Sequence, residues 1–145
     1  MIYKAKREDS SAIARLAIQM WEDNTIEDLS EEVKEIMSSD ESAYFLLELD
    51  EKVVGFAQCQ LRHDYVEGTE SSPVGYLEGI FVEEAYRKQG YAKELLKKCE
   101  SWAKEMGCSE FASDCELDNE VSLAFHLKMG FIEANRIICF TKSIS

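Results

Sequence analysis

The clearest pattern of apolar and polar positions lies in one stretch of the second half of the chain. Residues 76–82 form an apolar run bounded by turn-forming residues, which predicts a buried strand. After a polar bend, apolar residues recur every three or four positions from Gly90 to Met106, which is the period of an amphipathic helix. Gly107 is a natural left-handed terminator for that helix. The stretch therefore predicts a strand, a tight turn and a long helix in immediate succession.

The segments on either side predict further strands and helices. Before the central stretch we predict a strand at 2–6, a helix from 9 or 10 to 21, a helix from a Ser30 cap to 37, and a hairpin of strands at 43–49 and 53–63. After it we predict a strand at 110–114, a helix from 119 or 120 to 129, and a last strand at 136–142. No repeat or linker interrupts the 145 residues, so we expect one domain, residues 1–145. The expected fold is α/β, a central mixed β-sheet flanked by about four helices.

The junction between the central strand and its helix has the features of an anion site. The first amides of a helix have no partner inside it and point outward at the positive end of the helix dipole. Gly90 lets the backbone approach a ligand closely, and Arg87 and Lys88 add positive charge. Neither a P-loop nor a dinucleotide-binding glycine fingerprint is present. The turn therefore predicts a phosphate site of another kind.

Charge and cysteine content limit the classes of partner that the protein is expected to bind. The 29 acidic and 16 basic residues give a formal net charge of −13, which repels nucleic acid and anionic membranes and attracts cations. No apolar run reaches membrane-spanning length and no secretory signal opens the chain, so we expect a soluble, cytoplasmic protein. The five cysteines form no CxxC pair and the two histidines lie far apart, so we expect reduced thiols and no metal site. For a protein that also binds a polyanion, the negative charge points to a polycationic second substrate.

Two levels of resemblance to known families follow from these residues. The pattern Arg87-x-x-Gly90-x-Ala92 is similar to the pyrophosphate loop of the GNAT acetyltransferases, which bind acetyl-CoA, and the order of predicted elements is the GNAT order. Four segments further resemble the aminoglycoside 6'-N-acetyltransferases: Arg62-His-Asp-Tyr65, Tyr76-Leu-Glu-Gly-Ile-Phe-Val82, Ala112-Ser-Asp-Cys-Glu-Leu-Asp-Asn119 and His126-Leu-Lys-Met-Gly-Phe131. The resemblance implies a homodimeric antibiotic-resistance enzyme. Such an enzyme transfers acetyl from acetyl-CoA to the 6'-amine of kanamycin- or tobramycin-type drugs, by direct attack in a ternary complex.

The resemblance also implies which residues contact acetyl-CoA. The backbone of Ile80, Phe81 and Val82 is expected to pair with the pantetheine arm, and an amide here to polarise the thioester carbonyl. The pyrophosphate is expected at the turn formed by Arg87, Lys88, Gln89, Gly90, Tyr91 and Ala92. Asn119 matches a family position whose side chain reaches the pantetheine, and a plain helix N-cap is an equally good interpretation.

Three residues are candidates for the chemistry. An ammonium ion has no lone pair, so a proton must leave before the nitrogen attacks. Glu78, a carboxylate within an apolar strand, is the candidate to accept that proton or to bind and orient the ammonium. Asp114, at the end of the neighbouring strand, is a second acceptor-binding candidate. His126 stands where many GNAT enzymes have the tyrosine that protonates the leaving thiolate, and it either donates that proton or packs near CoA.

The acceptor pocket is expected in the loops before the second helix and before the central strand. By resemblance, Trp21 and Tyr65 stack on sugar rings, although Trp21 also fits a core position. Asn135 falls where relatives often carry an acid that touches the drug, and Asn24 replaces a histidine found in some of them. Both differences leave the antibiotic spectrum open.

Two other functions remain open. One is a GNAT acetyltransferase that acts on another amine, such as a polyamine or a metabolite. The other is a non-catalytic acyl-CoA-binding module, against which the presence of Glu78 and Asp114 argues.

Overall fold

One mixed sheet organises the protein. The computed structural model describes residues 1–145, with five strands in the order β1-β2-β3-β4-β5. The strands are β1 (Ile2–Lys4), β2 (Ser42–Leu49), β3 (Lys52–Arg62), β4 (Val74–Val82) and β5 (Phe111–Ser113). Neighbouring strands are antiparallel except for β4 and β5, which are parallel. The helices are α1 (Ser10–Ala17), α2 (Ile26–Met37), α3 (Tyr91–Glu105) and α4 (Glu120–Lys128), with single 3-10 turns at Arg7–Asp9 and Glu84–Tyr86. The predicted mixed sheet with four helices is confirmed, and none of the helices is long and apolar enough to cross a membrane.

Helices cover both faces of the sheet. The sequence of β2 is therefore continuously apolar, because its side chains are buried on both faces. Tyr44 and Leu46 belong to the apolar cluster under α1 and α2, whereas Phe45 and Leu47 belong to the cluster under α3. Successive side chains of a strand point to opposite faces, so both sets are buried.

A register shift interrupts the pairing of β4 with β3. Gln58 of β3 lies opposite Gly79, and Cys59 lies opposite Leu77, so Glu78 is the extra residue of a β-bulge. The carboxylate of Glu78 lies on the side of the sheet covered by α1 and α2, where it lines a cavity, and the bulge leaves the next residue, Gly79, on that side as well.

On its other edge, β4 separates from β5. The parallel pairing covers only Gly75, Tyr76 and Leu77, which lie opposite residues 111–113. Residues 78–82 of β4 therefore have no strand partner on that side, and their backbone groups there, apart from the Val82 carbonyl that Arg87 contacts, are open to an added extended chain.

The first two helices differ from the predicted boundaries. The helix predicted to reach residue 21 ends at Ala17. The helix predicted from a Ser30 cap begins at residue 26, because the hydroxyl of Thr25 accepts the amide of Asp28 at 3.1 Å. Ser30 instead lies inside α2, where its hydroxyl donates to that of Ser10. Two acidic residues in the first turn also favour the earlier start.

The strand predicted at 136–142 does not form, and this prediction is wrong for the single chain. Residues 132–145, which we call the C-terminal arm, pair with no strand. Ile137, Ile138 and Phe140 are 71%, 78% and 86% exposed. A β-strand needs a partner edge for its backbone groups, and the arm pairs with no edge of its own sheet.

Candidate active site

The turn before α3 presents free amides to solvent. Lys88 and Gly90 are in the left-handed region, with φ of 62° and 87°. The first bond into the helix is donated by the amide of Glu94 to the carbonyl of Gly90 at 3.2 Å, so the amides of 91–93 have no partner in the protein. A Cβ added at Gly90 meets nothing within 4 Å, so the space in front of these amides is open. The predicted anion site therefore has the required geometry.

Arg87 ties this turn to the end of β4. Its Nε donates to the carbonyl of Val82 at 2.7 Å, and its guanidinium carbon lies 5.4 Å from the ring centroid of Phe81. The sequence predicted a cation at the phosphate turn but not this clamp. The contact makes the turn and the open strand edge one continuous surface.

That surface fits a phosphate-bearing extended ligand. Ile80 packs its side chain against the core under α3 and Val82 is buried, so their side chains are engaged while the strand edge is open. An extended arm can pair along this edge with its phosphates at the helix N-terminus. The residues present therefore fit coenzyme A.

A cavity of about 370 Å³ lies on the other face of β4, between the sheet and the first two helices. Trp21, Asn24 and Glu78 all line it, so the structure brings together three of the residues singled out from the sequence. Trp21 is 41% exposed, and its ring lies 3.8 Å from where a side chain on Gly79 would begin. Trp21 therefore forms a wall of the cavity beside the bulge, rather than a core anchor.

The two candidate carboxylates sit in a connected network. Arg62 donates from Nε and Nη2 to the two oxygens of Glu78, at 3.0 and 2.9 Å. The guanidinium carbon of Arg62 also lies 3.4 Å from the ring centroid of Tyr76, whose hydroxyl donates to Asp114. Burial, together with the hydrogen bond to Asp114, raises the pKa of Tyr76 and keeps the phenol neutral. Glu78 and Asp114 are thus joined through two residues between them.

His126 lies where β4 and β5 part. Its Nδ1 is 2.7 Å from the carbonyl oxygen of Ser122 and therefore carries a hydrogen. Its Nε2 is 2.8 Å from the hydroxyl of Ser113, which in turn contacts the carbonyl of Leu77, the last residue of β4 paired with β5. The Nε2 side of the ring thus faces the opening of the sheet through Ser113, while Nδ1 is held by α4.

Asn119 acts as the N-cap of α4, because its Oδ1 accepts the amide of Ser122 at 3.0 Å. This contact uses only the oxygen of the side chain. Its amide nitrogen has no partner in the protein, so the capping role leaves a pantetheine contact open.

Tyr65 and Asn135 are brought together, but away from the cavity. Both contact Glu67: the hydroxyl of Tyr65 donates to one carboxylate oxygen and the Nδ2 of Asn135 donates to the other at 3.2 Å. Neither lines the cavity, and Tyr65 is 80% exposed. The placement of these two predicted substrate-binding residues beside Trp21 and Glu78 is therefore not seen in the single chain.

Sequence reasoning missed several residues of this region. The most informative were Arg62 and Tyr76, along with the cavity residues Glu32, Tyr44 and Gln58. Strand alternation gives a signal for Tyr76, which lies two residues before Glu78 and so on the same face. Arg62 lay in the resembling segment Arg62-His-Asp-Tyr65, but the sequence did not indicate its contact with Glu78, which arises only from the fold.

Comparison with known proteins defines the class. The family model of the acetyltransferase (GNAT) family matches residues 10–131, and the chain belongs to that family. The chain is 39% identical over 145 residues to the aminoglycoside N(6')-acetyltransferase type 1 of Serratia marcescens, covering 99% of each chain. It is 38% identical over 126 residues to the enzyme of the same name from Acinetobacter haemolyticus, covering 87% of this chain and 86% of that one.

Solved structures agree with the sequence comparison. The chain superposes on the aminoglycoside N-acetyltransferase AAC(6')-Iy in complex with CoA with a TM-score of 0.95, at 35% identity, covering 99% of this chain and 95% of that one. A second structure of that enzyme holds a bisubstrate analogue, CoA-S-monomethyl-acetylneamine, and superposes with a TM-score of 0.94, at 35% identity and with 99% and 98% of the two chains covered.

Proposed function

We propose that this protein transfers the acetyl group of acetyl-CoA to the 6'-amine of aminoglycosides of the kanamycin and tobramycin type, and so confers resistance to them. The observation that carries the proposal is the position of Glu78, which lines a mostly apolar cavity, together with Glu32, at the point where the proposed CoA-binding edge of β4 opens. The names of the relatives and the excess of negative charge, suited to a polycationic drug, support the same substrate class. The proposed place of action is the cytoplasm, which suits five free cysteines.

The chemistry follows from the arrangement of the residues. Acetyl-CoA supplies the acetyl group as a thioester. Glu78 and Asp114 bind the ammonium, and Glu78 accepts its proton, directly or through water, so that the neutral nitrogen has a lone pair. As the nitrogen attacks, the C–N bond forms and the C–S bond breaks. An amide among residues 80–82 donates to the carbonyl oxygen as negative charge develops there.

The remaining protons leave by separate routes. The nitrogen loses its second proton to solvent, and His126 donates a proton to the departing thiolate. No covalent acetyl-enzyme is needed. Cys59 and Cys99 are buried, and the contact between the two thiols together with burial raises the pKa of Cys99, so it remains a thiol. Direct transfer in a ternary complex is therefore the proposed route.

The proposal is tested by following CoA release with a thiol reagent. The purified protein is given acetyl-CoA with kanamycin, tobramycin, spermidine or no acceptor. We expect turnover with the two drugs, and a mass increase of one acetyl group at the 6'-amine. Turnover with spermidine alone would instead assign the enzyme to another amine, and tight CoA binding without any turnover would indicate a non-catalytic module.

We also propose that the protein is a homodimer with the C-terminal arms in the interface. The arm carries five large apolar side chains that are 71–90% exposed, namely Ile132, Ile137, Ile138, Phe140 and Ile144. Apolar exposure of this extent in one segment marks an interaction surface. The charged side chains of the arm are Glu133, Arg136 and Lys142, so two arms meet without the repulsion expected of a chain with net charge −13. The outer edge of β5, which pairs with no strand, offers the arm of a second copy a partner.

Light scattering at micromolar concentration tests this assembly. We expect a mass of two chains for the wild type and of one chain for the double variant Ile138→Asp, Phe140→Asp. A monomeric wild type, or a variant that remains a dimer, would contradict the proposed interface.

A further inference from the structure

The Glu78 carboxylate is already paired before any acceptor binds. Arg62 contacts both of its oxygens in a bidentate fork, at 3.0 and 2.9 Å. The side chain of Glu78 is 17% exposed and that of Arg62 is 38% exposed, so the pair is partly shielded from water. Bidentate pairs of this kind fix the orientation of the carboxylate as well as offsetting its charge.

The same arginine reaches the second carboxylate through an aromatic ring. Its guanidinium carbon is 3.4 Å from the ring centroid of Tyr76, close enough for a cation–π interaction. The hydroxyl of Tyr76 donates to Asp114. Arg62 therefore contacts both Glu78 and the side chain that holds Asp114, and it links the two acceptor-binding candidates.

Charge balance gives this link a chemical consequence. Two uncompensated carboxylates would stabilise an ammonium ion beside them and hold its proton in place. Acetyl transfer requires the neutral amine. Arg62 leaves the group of Glu78, Asp114 and itself with one net negative charge instead of two, which is enough to attract a cation while weakening the hold on its proton.

The other titratable groups that face Glu78 do not supply this balance. Tyr44 on β2 and Tyr76 on β4 have their pKa values raised, mainly by burial, so both stay neutral near physiological pH. Glu32 on α2 lines the same cavity and adds negative charge. Among the residues that line the cavity or belong to the hydrogen-bonded network, Arg62 is the one cation.

We propose that Arg62 is a positioning residue for acetyl transfer, which orients the Glu78 carboxylate and offsets its charge so that the bound acceptor amine gives up its proton near neutral pH. This proposal rests on the proposed function and deepens it. Arg62 acts through Glu78 and need not touch the acceptor.

Three variants test the proposal by the pH dependence of kcat with kanamycin. Arg62→Gln removes the positive charge, Arg62→Lys keeps the charge but loses the fork, and Arg15→Gln removes the same charge from an exposed position on α1 outside the cavity. We expect the acidic limb of the profile to move about one unit to higher pH in Arg62→Gln, without a rise in the KM for kanamycin. Arg62→Lys should keep the limb in place with a lower kcat, and Arg15→Gln should match the wild type.

A second readout does not depend on turnover. Calorimetry of kanamycin binding to the CoA-bound protein, in two buffers of different ionisation enthalpy, gives the number of protons released. Arg62→Gln should release fewer protons than the wild type near neutral pH. Asp114→Asn leaves the Arg62–Glu78 pair intact and removes one negative charge, so it should move the acidic limb to lower pH. This variant tests the proposal if Arg62→Gln does not fold.

The outcomes separate this proposal from the proposed function. Turnover by the wild type and by Arg15→Gln decides the function, and a wild type that neither binds nor acetylates kanamycin overturns both. If the wild type is active but the acidic limb and the proton release are unchanged in Arg62→Gln, a loss of kcat there is merely structural and the proposal is overturned. An unshifted limb in Asp114→Asn overturns it as well.

Discussion

Two glycines in similar backbone conformations allow the effect of backbone strain on stability to be measured separately from the effect of the phosphate turn on CoA binding. Gly90 and Gly107 lie at opposite ends of α3, with φ of 87° and 94°, and a Cβ added at either one meets nothing within 4 Å. A left-handed backbone costs a non-glycine residue about 1–2 kcal/mol. Gly90→Ala and Gly107→Ala should therefore lower the free energy of unfolding by similar amounts, and the melting temperature by roughly 3–6 °C each.

Only Gly90 faces the expected pyrophosphate. A methyl group there would hold the phosphate away from the free amides of 91–93. The loss of one hydrogen bond to a charged group costs about 1.5–3 kcal/mol, which is a fall of roughly 10- to 150-fold in CoA affinity. Gly107→Ala should bind CoA as the wild type does, and Gly90→Val, with a larger side chain, should bind it less well than Gly90→Ala.

Calorimetric titration with CoA and thermal melts followed by circular dichroism give the two quantities. Unchanged CoA affinity in Gly90→Ala would show that the diphosphate binds elsewhere. An equal loss of affinity in Gly107→Ala would show that backbone strain in the helix, and not access to the amides, controls binding.

Three further predictions concern the acceptor side, the leaving group and the loop before β4. Glu78→Gln should lower kcat by about 100-fold and leave CoA affinity unchanged; wild-type turnover in this variant would remove Glu78 from the mechanism. His126→Gln should lower kcat by about 10-fold at constant CoA affinity, and an unaltered kcat would assign the ring to packing. Hydrogen bonds from the hydroxyl of Ser71 and the amide of Glu70 lower the pKa of Glu110, so the stability that they confer is present at neutral pH. It should be lost as the pH falls below the ordinary glutamate value of 4.5 and through the lower value of the folded protein. Glu110→Gln should therefore lose less melting temperature between neutral and acid pH than the wild type, and parallel curves would refute the assignment.

The parts of the fold that the sequence predicted are those set by local pattern. The 3.6-residue period of α3, the glycines at its ends and the apolar run of β4 each depend on neighbouring residues alone. The start of α2 was missed because several residues near it are able to cap a helix. The sequence does not show which of them is the cap, whereas in the structure it is Thr25, which accepts the amide of Asp28. The last strand was predicted from a β-like composition, but composition does not decide whether a segment pairs with a neighbouring strand, and residues 136–142 pair with none.

The sequence predicted some residues of the site and missed the role of others. Glu78 stood out as a charge within an apolar strand, and the structure places it in the cavity with Trp21 and Asn24. Arg62 was given no role although it lies in a resembling segment, because a charged residue at a strand end is ordinary and its contact with Glu78 joins residues 16 apart. Contacts between distant residues, rather than residue types, decide the electrostatics of the acceptor site.

Both halves of the proposed site arise from one interruption of the sheet. The pairing of β4 with β5 ends at Leu77, and the register of β4 against β3 shifts at the next residue, Glu78. A β-strand with regular partners on both edges would have no free backbone for a pantetheine arm. Without the bulge, the alternation that buries Leu77 under α3 would place Gly79 on that face, where Ile80 now packs. The open edge of β4 begins after Leu77, and the acid that lines the cavity is the next residue, Glu78. An amine bound at Glu78 would therefore lie beside the strand edge along which the thioester would bind. We therefore infer that restoring regular register at Glu78 would damage acceptor binding and CoA binding together, whereas a change at Glu78 that keeps the bulge would affect only the acceptor side.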